Sequence, residues 1–263
     1  MTLPAPKIEI GFDLTESPIG PFLRLDDPVA GKLGSPDYRL GGTIFYDVTD
    51  RARQVSSARG RPNEFSTFPA GQVTVEFNNH DRAFDPLFVA SPFYGNIVPR
   101  REIRLSVDDV RVFTGWIEDW DLQYTPDGDS RVTAIAYDAF YIITNQSLSA
   151  FTPSVETVDQ RINTVLNRPG VNWSTDLRNL EVSTQNVGAY PIDEGTNALS
   201  YLQGLVTAEP GSIFVDKGGS IAFTNRETYP STAGLVTIGE GGIPFDNLRV
   251  IYGAEDLYNE ITI

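Results

Sequence analysis

The sequence predicts a β-dominated α+β protein, in which a run of antiparallel strands precedes a helix-bearing second part. Three observations predict this fold class. Apolar and polar residues alternate along several short stretches between residues 43 and 137, which is the period of a half-buried strand. Glycine (23 residues) and proline (18 residues) favour tight turns between these stretches. After Tyr137, apolar residues recur instead at helical spacing.

The chain divides into three predicted segments. Residues 1–42 carry six prolines, so we expect an extended N-terminal arm in which only Lys7–Phe12 alternates like a strand. Such an arm has the reach to contact a neighbouring subunit. Residues 43–140 are expected to form an antiparallel β domain, which the resemblance described below makes a tube-like β-barrel domain. Residues 141–263 are expected to form a helical insertion followed by a second β domain, complete or partial.

The strands of the barrel domain follow from alternation. In Gln72–Asn78, for example, Val73, Val75 and Phe77 share one side. The predicted strands are Thr43–Val48, Gln72–Asn78, Arg101–Val107, Val110–Phe113, Trp116–Tyr124 and Arg131–Tyr137. Because short turns join most of them, the pattern predicts an antiparallel meander with one buried face.

The second part combines three predicted helices with further strands. The helices cover Asp138–Asn145, a segment capped by Ser154 and stopped at Arg168-Pro-Gly170, and the region from Ala198 to Val206 that ends at Glu209. The strands are the hairpin Ser212–Val215 and Ser220–Thr224, then Leu235–Ile238, Asn247–Tyr252 and Tyr258–Ile263. The last strand stops in mid-pattern, so we expect the chain to be the front part of a longer product.

Composition excludes several classes of function. The chain has no cysteine, which excludes disulfides and thiolate metal sites. No run approaches the roughly 20 apolar residues of a membrane helix, and the N-terminus lacks the features of a signal peptide. We therefore expect synthesis in the cytoplasm and no membrane segment. The net charge of −15 argues against nucleic-acid binding as the main function, and no sequence-specific binding is expected.

The charge is unevenly distributed along the chain. Residues 1–50 hold 4 basic and 8 acidic residues (net −4), residues 51–111 hold 9 and 7 (net +2), and residues 112–263 hold 7 and 20 (net −13). Two interpretations stay open: complementary faces for self-assembly, or scattered charge on a soluble acidic protein. The arginines of the basic stretch are expected to pair with acids within or between subunits; they are Arg51, Arg53, Arg59 and Arg61.

Catalysis of the Ser-His-Asp type would require His80, because the sequence has one histidine. The nearest approach to a nucleophile elbow, Gly218-Gly-Ser220-Ile-Ala222, lacks the final glycine and lies in a predicted hairpin. His80 is therefore interpreted as a polar residue at a strand end or turn. Asp127 and Asp129 are interpreted as turn residues, since Arg131 occupies the place of a further Ca²⁺ ligand. No catalytic, cofactor-binding or metal-binding residue is assigned, and no cofactor is expected.

Paired carboxylates give the alternative of a different class, a carbohydrate-binding or glycoside-cleaving module. Asp119 and Asp121 share a strand face about 6.6 Å apart, a separation between those of retaining and inverting glycosidases. Trp116 and Trp120 flank them and are residues that stack on sugars. The competing interpretation is that Trp120 packs inward while the aspartates face solvent.

Several short motifs occur in an order that resembles one protein family. They are Asp47-Val-Thr49 and Ala58-Arg-Gly-Arg61; Phe68–Asn78 (FPAGQVTVEFN), Phe84-Asp-Pro86 and Ser91-Pro-Phe-Tyr-Gly-Asn96; Val112-Phe-Thr-Gly-Trp-Ile-Glu118; and Glu209–Phe223 with Asn225-Arg226. In this order and spacing they resemble the minor tail proteins of long-tailed bacteriophages, in particular the tail-tip or baseplate hub group. The resemblance covers about residues 43–226.

The resemblance implies a tail-tube-like β-barrel, usually present twice in a hub chain, and a structural role in the virion without enzymatic activity. A hub ring joins the tail tube to the distal tip and surrounds the DNA path, and an acidic lumen would repel DNA phosphates. The implied partners are further copies of the chain (a homotrimer is favoured over a hexamer), the distal tail or tube protein, the C-terminus of the tape-measure protein, and the central fibre or spike. Because a two-barrel hub needs more than 263 residues, a hexameric distal tail protein is the alternative.

Overall fold

The computed structural model of the chain describes residues 5–12, 27–28, 43–63, 66–126, 128–209 and 211–225. Among these residues, seven strands precede the first α-helix: β1 (Pro6–Phe12), β2 (Ile44–Asp47), β3 (Ala52–Ala58), β4 (Gln72–Asn78), β5 (Glu102–Val107), β6 (Val110–Gln123) and β7 (Arg131–Tyr137), with one 3-10 turn at Thr49–Arg51 between β2 and β3. The helices are α1 (Ala139–Thr144), α2 (Val158–Leu166) and α3 (Ala198–Ala208). Shorter strands accompany them: β8 (Ser147–Leu148), β9 (Glu156–Thr157), β10 (Arg178–Leu180), β11 (Asn186–Val187), β12 (Thr196–Asn197), β13 (Ser212–Val215) and β14 (Ile221–Thr224).

The first seven strands form one antiparallel sheet that has to be rolled. Its order is β2-β1-β5-β6-β7-β4-β3, so β2 and β3 lie at opposite edges. A flat sheet would separate these edges by six strand spacings, or about 29 Å. The chain from Asp47 to Ala52 has five Cα–Cα steps and spans at most about 19 Å. The sheet therefore curls until its edges approach each other. No ladder joins β2 to β3 among the described residues, so full barrel closure stays a prediction.

The strand pairing differs from the predicted meander. The hairpins β5-β6-β7 form a meander, but β4 pairs with β7 and not with β5, which gives the Greek-key order β5-β6-β7-β4. The two strands predicted at Val110–Phe113 and Trp116–Tyr124 are one continuous strand, β6. The alternation missed β3, whose side chains are mostly exposed and show no apolar period.

The core of the rolled sheet is filled from one end by the long link between β4 and β5. We call this link, residues 79–101, the connection. It is a series of turns in which a backbone N–H repeatedly donates a hydrogen bond to the carbonyl oxygen three residues earlier. It inserts Phe84 and Phe93 among the strands. The ring centroid of Phe84 lies 4.8 Å from that of Phe77, 5.4 Å from Phe93 and 5.9 Å from Trp120. These aromatic contacts complete a core that the strands alone leave open.

The helix-bearing part builds a second hydrophobic cluster from α1, α2, α3 and the hairpin β13-β14. A small sheet of order β10-β14-β13 covers it, with β10 parallel to β14. Thr157, not Ser154, is the N-cap of α2, and Gln160 accepts a hydrogen bond from its backbone N–H (3.2 Å). The helix begins later than predicted because residues 156–157 are used as β9, which pairs with β11.

One arginine holds the loops of this part in place. Arg161 on α2 is 1% exposed. Its guanidinium donates to the carboxylate of Glu156 (2.6 Å), the hydroxyl of Tyr201 (2.9 Å) and the carbonyl oxygens of Ser154 (2.8 Å) and Gly188 (3.0 Å). A buried charge is tolerated only with such complete pairing. Arg161 therefore fixes the segments on both sides of α2.

The predicted β-dominated α+β class is confirmed, and most of the predicted elements between residues 43 and 225 are present. The strand-like alternation predicted at Lys7–Phe12 corresponds to β1 (Pro6–Phe12), which pairs with both β2 and β5. The strands predicted at Leu235–Ile238, Asn247–Tyr252 and Tyr258–Ile263 lie outside the described residues. The segment boundaries at 42 and 140 stay predictions. Within the described ranges, no helix combines the length and apolarity needed to cross a membrane.

Replacing Phe84 by alanine should lower the free energy of unfolding by about 3–5 kcal/mol, because it empties a fully buried aromatic position. Urea denaturation followed by tryptophan fluorescence measures the change. Leu87→Ala is the matched control in the same connection, since Leu87 is 84% exposed; it should change the free energy by less than about 0.5 kcal/mol. Equal effects of the two substitutions would contradict the role given to Phe84.

Candidate functional site

The structure does not assemble the residues considered for nucleophilic catalysis. His80 is exposed, and its Nδ1 lies 2.8 Å from the carbonyl oxygen of Gly128, so that nitrogen is the donor. It lies two residues after the end of β4 at Asn78. Ser220 lies in the β13-β14 turn, where Gly219 packs against Thr114 of β6. Because Thr114 lies near the other end of the β4 and β7 strands, the histidine and the serine are held apart.

The tryptophans of the carbohydrate alternative are both used inside the protein. Trp120 stacks on Phe84 and donates its indole N–H to the carbonyl oxygen of Val98 (3.1 Å). Trp116 packs on the helix-bearing cluster, edge-on to Trp173 with ring centroids 5.7 Å apart. The predicted competing arrangement, with Trp120 inward and the aspartates outward, is the one observed. No open aromatic platform results.

Asp119 and Asp121 are exposed on β6, at a bulge between Ile117 and Asp119. No described group of three or more metal-ligating side chains comes close enough together to hold a metal ion. Of the two turn aspartates, Asp127 lies outside the described residues. Hydrogen bonds from Arg53 and Arg131 lower the pKa of Asp129 to about 2. That carboxylate is thus committed to arginines.

The arginines of the basic stretch have partners within the chain. Arg51 pairs with Asp81 (2.8 Å) and Arg53 with Asp129 (2.6 Å), which confirms the expectation of charge partners for these two. The guanidinium of Arg61 lies over the ring of Phe68, 5.0 Å from its centroid. Arg59 behaves differently, because its partners are backbone carbonyl oxygens.

Arg59 fastens the helix-bearing part to the sheet. It follows β3 and donates to the carbonyl oxygen of Val112 on β6 and to that of Val215 on β13 (2.8 Å). In the turn of the same hairpin, the carbonyl oxygen of Lys217 accepts a hydrogen bond from the hydroxyl of Thr114 on β6 (3.1 Å). Arg59, from the Ala58-Arg-Gly-Arg61 motif, therefore links two strands whose bonded residues lie 53 and 156 positions away from it in the sequence.

Asp138 makes the second link between the two parts. It joins β7 to α1 and is 4% exposed. Its carboxylate accepts from the N–H of Gly71 (2.7 Å), just before β4, and caps α1 by accepting from the N–H of Phe140 (3.0 Å). A Cβ at residue 71 would lie 2.7 Å from Oδ2 of Asp138, so this close approach requires glycine. Burial raises the pKa of Asp138 to about 6, against the opposing effect of these two hydrogen bonds and of nearby Arg59.

A cleft of about 210 Å³ lies at this junction. Its lining combines the two polar links with an aromatic wall, where Phe68 and Phe214 lie 5.4 Å apart between ring centroids. The lining residues are Arg59, Gly60, Phe68, Pro69, Gly71, Asp138, Phe214 and Val215. The lining contains one carboxyl group, that of Asp138, and one guanidinium, that of Arg59. Both side chains bond the sheet to the helix-bearing part, so the arrangement of the cleft serves to connect these two parts.

Sequence reasoning missed the junction although it had singled out the motifs that form it. Ala58-Arg-Gly-Arg61, Phe68–Asn78 and Val112–Glu118 were noted separately, and the structure brings parts of all three together at Arg59 and Gly71. The sequence signal for this junction is the position of Arg59 and Gly71 next to the ends of strands, where neither residue has a role in the strand itself.

The free energy of unfolding should depend on pH through Asp138. The folded-state pKa of about 6 exceeds the ordinary 3.8, so between these values the folded protein binds a proton that the unfolded chain lacks. The contribution of Asp138 to stability is thus fully present below about pH 3.8 and falls by roughly 3 kcal/mol as pH rises through 6.

Asp138→Asn removes this titration. Urea denaturation at pH 4, 5, 6 and 7 should therefore show the stability of the natural chain relative to the variant decreasing as pH rises. Asp119→Asn is the matched control for loss of one carboxylate at an exposed position, and its difference from the natural chain should not follow that course. A pH-independent difference for Asp138→Asn would contradict the assignment.

Arg59→Ala should loosen the joint while leaving both hydrophobic clusters folded. Hydrogen bonds from a charged group contribute up to about 1.5–3 kcal/mol when they are buried and less when they are exposed, as Arg59 is. Amide hydrogen exchange in β13 and β14 should therefore accelerate by roughly threefold or more. Arg53→Ala is the control, since it removes a half-exposed ion pair worth at most about 1 kcal/mol. Unchanged exchange in the hairpin would show that Arg59 does not hold it.

Comparisons with known proteins place tail proteins among the solved structures that resemble this chain. A prophage MuSo2 43 kDa tail protein from Shewanella oneidensis matches with a TM-score of 0.48 and 16% identity, over 74% of this chain and 55% of its own. A tail protein from Neisseria meningitidis MC58 matches with a TM-score of 0.46 and 12% identity, over 62% and 45%. A type VI secretion component from E. coli, described as similar to the phage T4 tail proteins gp27 and gp5, matches with a TM-score of 0.45 and 13% identity, over 62% and 44%.

This chain spans about half the length of those three proteins. No protein-family model matches it. No curated protein matches it either.

Proposed function

We propose that this chain is a non-enzymatic structural subunit of a phage tail tip, a hub protein whose copies form a ring between the tail tube and the distal tip. The ring surrounds the DNA path and resides in the virion after synthesis in the bacterial host cytoplasm. Its partners are other copies of the chain, the distal tail or tube protein, the tape-measure C-terminus and the central fibre or spike.

The observation that carries this proposal is the convergence of the resemblance motifs on one rolled sheet. Phe84 and Phe93, from Phe84-Asp-Pro86 and the 91–96 motif, fill the core at one end. Arg59 and the Val112–Glu118 strand form the joint at the other end. Motifs spread from residue 58 to residue 118 thus contribute to one sheet, as a family resemblance in fold requires.

The electrostatics support a role beside DNA without binding it. The chain carries a net charge of −15, and six of the described arginines have a carboxylate within 3.4 Å: Arg51, Arg53, Arg82, Arg100, Arg104 and Arg131. The net negative charge of a ring of such subunits repels the DNA that passes it.

The arrangement of side chains supports a role without catalysis. The described residues that sequence reasoning tested for catalysis are either exposed and separated, as His80 and Ser220 are, or committed to packing, as Trp116 and Trp120 are. A subunit of an assembly needs stable surfaces, and a rolled sheet whose core is closed by the connection supplies them.

Purified tails give the test. Immunogold labelling with antibodies raised against this chain should mark one end of the tail, and mass spectrometry against isotope-labelled peptides should count three copies per virion for a hub. Six copies at the same end would favour the hexameric distal tail protein. Labelling along the tube, on the head, or absence from purified virions would contradict the proposal.

A further inference from the structure

Two tyrosines stack on each other where the sheet meets the helix-bearing part. Tyr137 is the last residue of β7, and Tyr141 lies in α1 four residues later. Their ring centroids lie 4.2 Å apart, and the ring planes are inclined by 14°. Centroids of aromatic pairs in proteins are ordinarily about 4.5–7 Å apart, so these two rings are unusually close and nearly parallel. No other ring contact among the described residues joins two tyrosines.

The backbone holds both tyrosines in place. Tyr137 is paired on two sides, with Trp116 of β6 and Gln72 of β4. The N–H of Tyr141 donates to the carbonyl oxygen of Asp138 (3.2 Å), whose side chain also caps α1. The two rings are therefore held in contact before any reaction between them. Holding two reacting groups together in this way greatly raises the rate at which they combine.

The surroundings of the pair favour a reaction within the chain over one between chains. Both tyrosines are half-buried, so part of each meets solvent and an oxidant dissolved there. Tyr190 and Tyr94 are more exposed, at 76% and 49%, but neither stacks on another tyrosine among the described residues. A radical formed on either of these has to meet a second molecule, whereas one formed on Tyr137 has its partner in contact.

Stacked phenol rings are the arrangement from which phenoxyl radicals couple. Oxidation of each tyrosine by one electron removes that electron and the hydroxyl proton. The two radicals then form a carbon–carbon bond between the ring carbons next to the oxygen-bearing carbons. The proton on each of these carbons moves to the oxygen of its own ring, which restores both phenols. With hydrogen peroxide as the final electron acceptor, two tyrosines and one peroxide give one dityrosine and two water molecules.

We propose that Tyr137 and Tyr141 form an oxidative crosslinking site, at which a one-electron oxidant, such as a peroxidase supplied with peroxide, joins the two rings as dityrosine. The new bond attaches β7 of the sheet to α1 of the helix-bearing part. It lies next to Asp138 and reinforces the hydrogen-bonded joint with a covalent connection. The site is defined by the folded chain alone, so this inference does not depend on the proposed function.

Tryptic digestion gives a direct readout of the crosslink. Cleavage after Arg131 and Arg161 releases a peptide, residues 132–161, that contains both tyrosines and no third one. The folded chain is treated at low concentration with a peroxidase and hydrogen peroxide, then digested. Coupling within the chain should lower the mass of this peptide by two hydrogen atoms and give dityrosine fluorescence. Because the bond closes a loop, fragmentation of the peptide should yield no ions from backbone cleavage between Tyr137 and Tyr141.

Matched variants separate the stacked pair from the other tyrosines. Tyr137→Phe and Tyr141→Phe keep an aromatic ring at each position but form no phenoxyl radical there, so each should lower the yield of the crosslinked peptide by roughly tenfold or more. Tyr190→Phe is the control, because it removes a more exposed tyrosine outside the pair; it should leave the yield unchanged. The same oxidation in urea should also lower the yield, since unfolding separates the two rings. Circular dichroism verifies folding of each variant.

The crosslink closes a loop of five residues, so it removes little entropy from the unfolded chain. Its effect is expected in the folded state, where amide hydrogen exchange in α1 should slow by roughly threefold or more. An unchanged mass of the 132–161 peptide, dityrosine only between separate chains, or equal yields from the folded chain and in urea would each overturn the inference. Unchanged exchange in α1 of the crosslinked chain would overturn the reinforcement of the joint.

Discussion

The short chain between Asp47 and Ala52 is the constraint on which the rest of the structure depends. It ties together the two edge strands of a seven-stranded sheet, and a sheet tied in this way cannot lie flat. Rolling encloses a core between strands that contribute both aliphatic and aromatic side chains, such as Val75, Ile103 and Phe77. The rolled sheet has two open ends, and a different segment of the chain covers each of them. At one end the connection inserts Phe84 and Phe93, and at the other the helix-bearing part is fastened to the sheet.

The fastening relies on few polar contacts, from buried Asp138 and exposed Arg59. Asp138 uses one carboxylate to bind the chain before β4 and to start α1, so the sheet and the first helix share a single hydrogen-bonding centre. Arg59 reaches from the end of β3 to β6 and β13. Both hydrogen-bond acceptors of Arg59 are backbone carbonyl oxygens, so this contact does not depend on which side chains the β13-β14 hairpin carries. The hairpin side chains can therefore pack in the second hydrophobic cluster.

Alternation and helical spacing predicted the elements with a regular apolar period, such as β4, β7 and α3, because each buries one side. They failed where the environment departs from that pattern. Strand β3 lies at the edge of the sheet and is mostly exposed, so Ala52–Ala58 shows no period. The pairing of β4 with β7 depends on the path of the connection, which no local pattern encodes. The joint escaped prediction for the same reason: Arg59 and Gly71 are adjacent to Asp138 only in three dimensions, and a glycine chosen to avoid a carboxylate looks like any turn glycine.

The position of β1 between β2 and β5 has a consequence for how the chain folds during synthesis. Pro6 pairs with Val107, a separation of about 100 residues, so β1 waits for its second neighbour for some 5–20 s at ordinary rates of translation. Until β5 leaves the ribosome, β1 has a vacant flank beside the hairpin-like pair that it forms with β2. Nascent chains on one polysome therefore present identical unpaired strands to each other during that interval. Slow, non-local pairing of this kind favours dependence on chaperones and makes truncated products prone to aggregation.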